Sequence, residues 1–156
     1  MPTTPVTPYV PQYITVHLGA PSAAAENVTV SFPEYVKNVA SSEIYPTWEP
    51  AAIRANILAI ISFALNRVYT EYYPSRGYPF NITASTAYDQ KFIKGRNIFE
   101  NISFLVDTIF SNFLSLSSLQ FSLYYINDIA FFYHSHTITL YLLILVTNLI
   151  IYIDFF

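Results

Sequence analysis

The chain has 156 residues, enough for one domain, and is 53% hydrophobic, 18% aromatic and 11% charged, against roughly a quarter charged in an average soluble protein. A disordered, collagen-like or nucleic-acid-binding chain needs a polar or basic excess that is missing here. With no cysteine, a disulfide scaffold, a thiolate zinc site and a cysteine nucleophile are excluded, and a net charge of −3 names no partner.

Residues 1–12 begin Met-Pro-Thr-Thr-Pro-Val-Thr-Pro and read as a short extended leader. They have neither the basic start nor the apolar core of a secretory signal. Tyr13-Ile-Thr-Val-His-Leu and Val28-Thr-Val-Ser-Phe alternate apolar and polar residues, as half-buried strands do, with Gly19 and Pro21 between them. Helical spacing then begins after Pro33. Tyr35, Val36, Val39 and Ala40 predict a helix from Glu34 to about Ile44, stopped at Tyr45-Pro46 because the residue before a proline is pushed out of the helical region.

Pro50 suits the first turn of a second helix, expected from Ala51 to about Tyr72, where Pro74 and Gly77 end it. Its wide apolar face (Ile53, Ile57, Ile60, Ile61, Ala64, Leu65, Val68) marks a core helix, with Arg54 and Arg67 apart from that face. Residues 74–96 read as a loop with extended pieces at Tyr78–Thr83 and Tyr88–Phe92. A third helix is expected from Asn97 to about Phe110, with Ile98, Ile102, Leu105, Val106 and Ile109 on one side. The fold class is therefore α+β over residues 13–110, and no repeat is visible.

The sequence contains no Gly-rich phosphate loop, no serine-nucleophile elbow and no metal-ligand pair at helical spacing, so it calls for no cofactor or metal. His17 stands alone in a strand pattern and reads as a structural or surface residue, while His134 and His136 form only a weak metal signal. Sequons occur at Asn27, Asn81 and Asn101, which matter only in a secreted eukaryotic protein.

One acid has a distinctive setting. Glu43 lies in Val39-Ala-Ser-Ser-Glu-Ile-Tyr-Pro-Thr-Trp48, flanked by small residues and followed by an aromatic–proline turn. From the residues alone it is either a helix-end glutamate in water or a carboxyl desolvated beside an aromatic wall. The second setting raises a carboxyl pKa toward the range of a general acid. Trp48 is of the kind that stacks on a sugar ring.

The run Phe32-Pro-Glu-Tyr-Val-Lys-Asn-Val-Ala-Ser-Ser-Glu-Ile-Tyr-Pro46 and the run Pro50-Ala-Ala-Ile-Arg-Ala-Asn-Ile-Leu-Ala-Ile-Ile-Ser-Phe-Ala-Leu65 resemble the SpoIID/LytB family. That family shows an EYV-x-V-xx-E-[M/I]-P pattern followed by P-x-EAL-x-AQA-x-AARTYAL. Asp89-Gln90-Lys91-Phe92-x-x-Gly95 is similar to a third family segment, D/S-Q-x-Y-x-G. The resemblance spans about residues 10–110 and implies the N-terminal half of a SpoIID-like domain, acting on the glycan strands of peptidoglycan as a lytic transglycosylase in sporulation or cell-wall remodelling. It implies Glu43 as catalytic acid and base, with Trp48 and Gln90 at the substrate. The family's arginine falls at Ile61 and its usual methionine at Ile44. The family's second half has no counterpart after Asp107, so the chain is expected to be truncated and weakly active or inactive. A non-catalytic peptidoglycan-binding scaffold and a small membrane protein with vestigial homology are the alternatives.

From Ser111 the composition changes. All seven Lys and Arg lie between Lys37 and Arg96, and the 25 residues between Asp128 and Asp154 hold no formal charge. Residues 129–153 are long and apolar enough for a membrane span, which needs about 20 such residues. Residues 111–156 are thus either a C-terminal membrane anchor, which would make the protein membrane-associated, or the product of a frameshift in an AT-rich gene.

Overall fold

Alternation builds the first element. In β1 (Tyr13–His17), Ile14 and Val16 point into the core while Tyr13 and Thr15 face outward, as the two-residue period of a strand dictates. The computed structural model describes residues 10–115. Residues 1–9 of the expected leader, and beyond 115 the apolar tail with its expected span at 129–153, His134 and His136, lie outside the described residues.

β2 (Asn27–Ser31) pairs antiparallel with β1, Tyr13 opposite Ser31 and His17 opposite Asn27. The two-residue β3 (Ile82–Thr83) lies parallel to β1 on its other side, giving the order β2-β1-β3. Asn81 anchors that pairing: its side chain accepts from Thr15 N–H at 2.9 Å and its own N–H donates to the Thr15 carbonyl at 2.9 Å.

The chain passes from β2 directly into α1 (Phe32–Glu43). Ser31 caps this helix, its hydroxyl accepting from Glu34 N–H, with Pro33 in the first turn where its missing N–H costs nothing. The helix therefore begins two residues before the expected start. α1 is the centre of the molecule: Phe32, Tyr35, Val36, Val39 and Ala40 are all fully buried.

α2 (Pro50–Tyr69) contributes Ile53, Ile57, Ile60, Ile61, Ala64 and Leu65 to the same core. By length and composition α2 could cross a membrane, but this stripe packs it as a core helix. It stops three residues before the expected end. Tyr72 N–H reaches the Arg67 carbonyl and Glu71 N–H reaches the Val68 carbonyl, with Glu71 at φ 47°. That is a Schellman ending with glutamate where glycine is usual. A single 3₁₀ turn (Pro74–Arg76) follows.

α3 (Glu100–Ser115) packs Ile102, Leu105, Val106 and Ile109 against the core. It begins three residues after the expected start: the Phe99 carbonyl accepts the first helical N–H, from Ser103 at 2.9 Å, and the Ser41 hydroxyl accepts from Phe99 N–H at 3.2 Å. Three helices on a small mixed sheet make the described residues an α+β fold.

Candidate functional site

The end of α1 and the loop that follows β3 meet through polar side chains. Residues 90–93 lie in the expected loop and form no strand, while a turn at Tyr88 and a bend at Asp89 interrupt the extended piece expected at Tyr88–Phe92. Their partner is a helix, which has no free backbone edge, so α1 side chains satisfy the loop instead. Asn38 accepts from Ile93 N–H at 2.9 Å and donates to the Ile93 carbonyl at 2.8 Å. Ser41 Oγ holds Phe99, and the Ser41 carbonyl accepts from the Arg96 guanidinium. Gly95 (φ 77°) turns the loop back, with Arg96 N–H on the Ile93 carbonyl at 3.1 Å, the left-handed position that a type II turn reserves for glycine.

Glu43, the last residue of α1, belongs to this seam. Its Oε1 accepts from Lys91 N–H at 2.6 Å, and among the described residues no side chain bonds its other oxygen. The residue is exposed, yet enough protein surrounds the carboxyl that desolvation is the largest influence on it and raises its pKa. The Lys91 N–H bond and the Lys91 charge pull the other way and lose. A carboxyl with one oxygen anchored, one oxygen open and an elevated pKa is equipped to give and take a proton.

Beyond Ile44 the chain turns at Tyr45–Trp48, with Trp48 N–H on the Tyr45 carbonyl at 3.2 Å. Asn101 on α3 donates to the Pro46 carbonyl at 2.8 Å and fixes the turn. Tyr45 is 68% exposed and Trp48 44% exposed. Their rings lie 5.9 Å apart at 50°, an aromatic surface open to solvent two to five residues from the acid.

Gln90 has a different situation from Trp48. It is only 7% exposed; its Oε1 accepts from the Tyr35 hydroxyl at 3.0 Å and its Nε2 donates to the Ile60 carbonyl at 3.4 Å. Both ends of the side chain serve the interior and tie the loop to α1 and α2. Tyr35 also stacks on Phe92, the centroids 5.9 Å apart. Burial first, then the Asp89 and Glu43 charges, raise the Tyr35 pKa against the opposing Arg67 charge, so it stays a neutral donor.

The residue next to Gln90 is the hub that the sequence reading missed. The Asp89 side chain is fully buried and accepts from Arg67 Nε at 2.7 Å on Oδ1. Its Oδ2 accepts from Tyr73 Oη at 2.6 Å, Thr83 Oγ1 at 2.6 Å and Thr83 N–H at 2.9 Å. Arg67 lies over Tyr72, 3.8 Å from the ring centroid, and also donates to the Tyr88 carbonyl. Burial, the Asp89 hydrogen bond and the Asp89 charge push the Tyr73 pKa upward. Arg67, read from sequence as lying apart from the apolar face, is thus the cation that α2 brings to this region, whereas Ile61 is buried in the core.

His17 is buried, stacked on Phe80 at 4.5 Å between centroids, with Nε2 3.0 Å from the Ala20 carbonyl and Nδ1 2.7 Å from Asn27 Oδ1. Both nitrogens are engaged, in keeping with its reading as a structural residue. Among the described residues no cluster of three or more His, Asp or Glu is placed to hold a metal.

Comparison with protein-family models finds no match to this chain. Curated proteins and solved structures likewise return none.

Proposed function

We propose that this domain acts on the glycan strands of peptidoglycan, with Glu43 as the acid and base of a lytic transglycosylase-type cleavage. The observation that carries the reading is Glu43 itself: an accessible carboxyl, anchored at one oxygen by Lys91 N–H and raised in pKa by partial burial. The sequence resemblance to the SpoIID/LytB family at the same residue supports it. In the reaction, protonated Glu43 gives its proton to the glycosidic oxygen as the C1–O bond breaks. The resulting carboxylate then takes the proton of the sugar's own 6-hydroxyl as that oxygen closes on C1, leaving an anhydro sugar and a free hydroxyl on the departing strand. One carboxyl serves both steps, and no water is consumed. Turnover is expected to be low, because an exposed acid gains little of the electrostatic advantage of a water-excluded site.

The exposed Tyr45–Trp48 pair favours a second reading, glycan binding without cleavage, since flat aromatic rings stack on sugar faces. One experiment separates the two. The chain is incubated with peptide-free glycan strands, and anhydro-sugar ends are measured by mass spectrometry. Intact sacculi are used in parallel for pelleting. The expected result is a low yield of anhydro ends that falls by about a hundredfold or more in Glu43→Gln, the scale of a lost general acid. A yield unchanged in Glu43→Gln would overturn the catalytic assignment. No product, with pelleting lost in Trp48→Ala, selects the binding reading; neither product nor pelleting refutes both.

A further inference from the structure

Among the described residues Lys91 N–H is the one group that grips the Glu43 carboxyl, and it belongs to a loop with no strand partner. A backbone donor is only as well placed as the backbone that carries it, and this stretch is pinned on both sides. Two residues upstream, Asp89 takes the four hydrogen bonds from Arg67, Tyr73 and Thr83. Two residues downstream, Ile93 is clamped by Asn38 at both its N–H and its carbonyl. Between them Gln90 is fastened to Tyr35 and Ile60.

We infer that Asp89 is a positioning residue for Glu43: the buried Arg67–Asp89–Tyr73–Thr83 hub holds residues 89–91 so that Lys91 N–H meets the carboxylate. The inference rests on the reading of Glu43 as the working acid, and it adds a second role for α2, which supplies Arg67. The hub touches no reacting atom. It acts through the loop, by setting how strongly the ionised form of Glu43 is favoured. The other charged group that influences Glu43 is the Lys91 ammonium; the Tyr35 hydroxyl of α1 stays neutral through burial. Arg67→Lys keeps every charge, and losing the Asp89 charge in Asp89→Asn would by itself ease ionisation of Glu43 and move its midpoint down, so an upward movement reports the position of the N–H.

The test follows Glu43 directly. In the full 156-residue chain, the Glu43 carboxyl carbon is titrated by NMR, and hydrogen exchange at the Lys91 amide is measured, for wild type, Asp89→Asn and Arg67→Lys. Asp89→Asn keeps the shape but cannot accept at both oxygens; Arg67→Lys keeps the charge but loses the Nε–H donor. In both variants the Glu43 midpoint is expected to move upward, because a hydrogen bond to the charged form is weakened. The Lys91 amide is expected to exchange roughly tenfold faster, as a locally loosened segment does. Asn38→Ala, which releases the other end of the loop, is expected to shift Glu43 in the same direction. An unchanged midpoint and unchanged Lys91 protection in a variant whose core amides remain protected would overturn the inference. Should Asp89→Asn fail to fold, Arg67→Lys decides by the same two readouts. No glycan enters these measurements, so a shifted midpoint in a chain that cleaves nothing would sink the catalytic reading and leave the positioning role standing. Cleavage with an unmoved midpoint would do the reverse.

Discussion

Asp89→Ala is expected to be a severe change, because this one carboxylate accepts four hydrogen bonds. The substitution leaves three donors on two residues facing a vacated site: Tyr73 Oη, Thr83 Oγ1 and Thr83 N–H, with Thr83 fully buried and Tyr73 3% exposed. A buried donor without a partner costs about 1–3 kcal/mol, and donors that share one acceptor are not additive. Arg67 fares better: 16% of its side chain is exposed and it keeps Tyr72 and the Tyr88 carbonyl, so its head can recruit water. Taken as a broken buried ion pair, the loss is about 3–5 kcal/mol. Donor by donor it is of the same size, so about 3–5 kcal/mol is the expected destabilisation, a large part of the 5–15 kcal/mol that holds a typical domain.

Asp89→Asn is expected to cost about 2 kcal/mol. Its single oxygen can serve either Arg67 or the Tyr73–Thr83 group, and its NH₂ then opposes the donor left over. Urea unfolding followed by circular dichroism measures both, read as a shift in midpoint at constant slope. Pairing Asp89→Asn with Tyr73→Phe should show a coupling of about 1–2 kcal/mol, since the two removals share one hydrogen bond. A loss below about 1 kcal/mol for Asp89→Ala, with the slope unchanged, would refute the buried hub.

Two other measurements probe single positions. Because burial raises the Glu43 pKa above the ordinary 4.5, the folded state binds more protons than the unfolded state between the two values. The contribution is then fully present below 4.5 and is lost as pH rises through the folded value. Wild type should therefore lose stability relative to Glu43→Gln on going from acid toward neutral pH; a gain instead would mean that the Lys91 bond outweighs desolvation. Glu71→Gly should raise stability by about 0.5–1 kcal/mol by relieving the left-handed backbone at the end of α2. A loss in the same unfolding assay would show that the Glu71 side chain contributes more than its strain costs.

How far the fold was legible follows from where each element's determinants lie. β1, β2 and the body of each helix are written in local periodicity, and they form where that periodicity places them. The ends are set by partners. α1 starts early because Ser31 and Glu34 form a cap across the strand–helix junction, a signal present in the sequence as Ser-x-x-Glu but subordinate to the proline between them. α2 stops early through a left-handed glutamate, where no glycine announces the turn. α3 starts late, at Glu100, with the Phe99 N–H bound by Ser41, 58 residues away. Tyr88–Phe92 reads from the sequence as an extended piece within a loop, and it lies in a loop without strand pairing. Its hydrogen bonds go to helix side chains, which periodicity does not encode.

The site divides along the same line, and the division bears on how such a chain is read for chemistry. Glu43 and Trp48 stand out as candidates in the sequence because their settings are local: a helix end, small neighbours, an aromatic–proline turn. Asp89 does not, because its partners lie 22, 16 and 6 residues away, and a charged residue in a loop is exposed by default. In a sequence with 11% charged residues that default is weakest. The described acids that form ion pairs each meet a cation from another element or the next helical turn: Glu26 with Lys94, Glu34 and Asp107 with Lys37, Asp89 with Arg67. Among the described residues Glu43 differs from these four in making no ion pair and accepting one hydrogen bond, from the Lys91 N–H. A carboxylate committed to a cation is tied to that partner. One held only by an amide, and partly desolvated, can cycle between forms near the pH at which it works. That difference in partner, which the sequence does not encode, sets Glu43 apart from the ion-paired acids among the described residues.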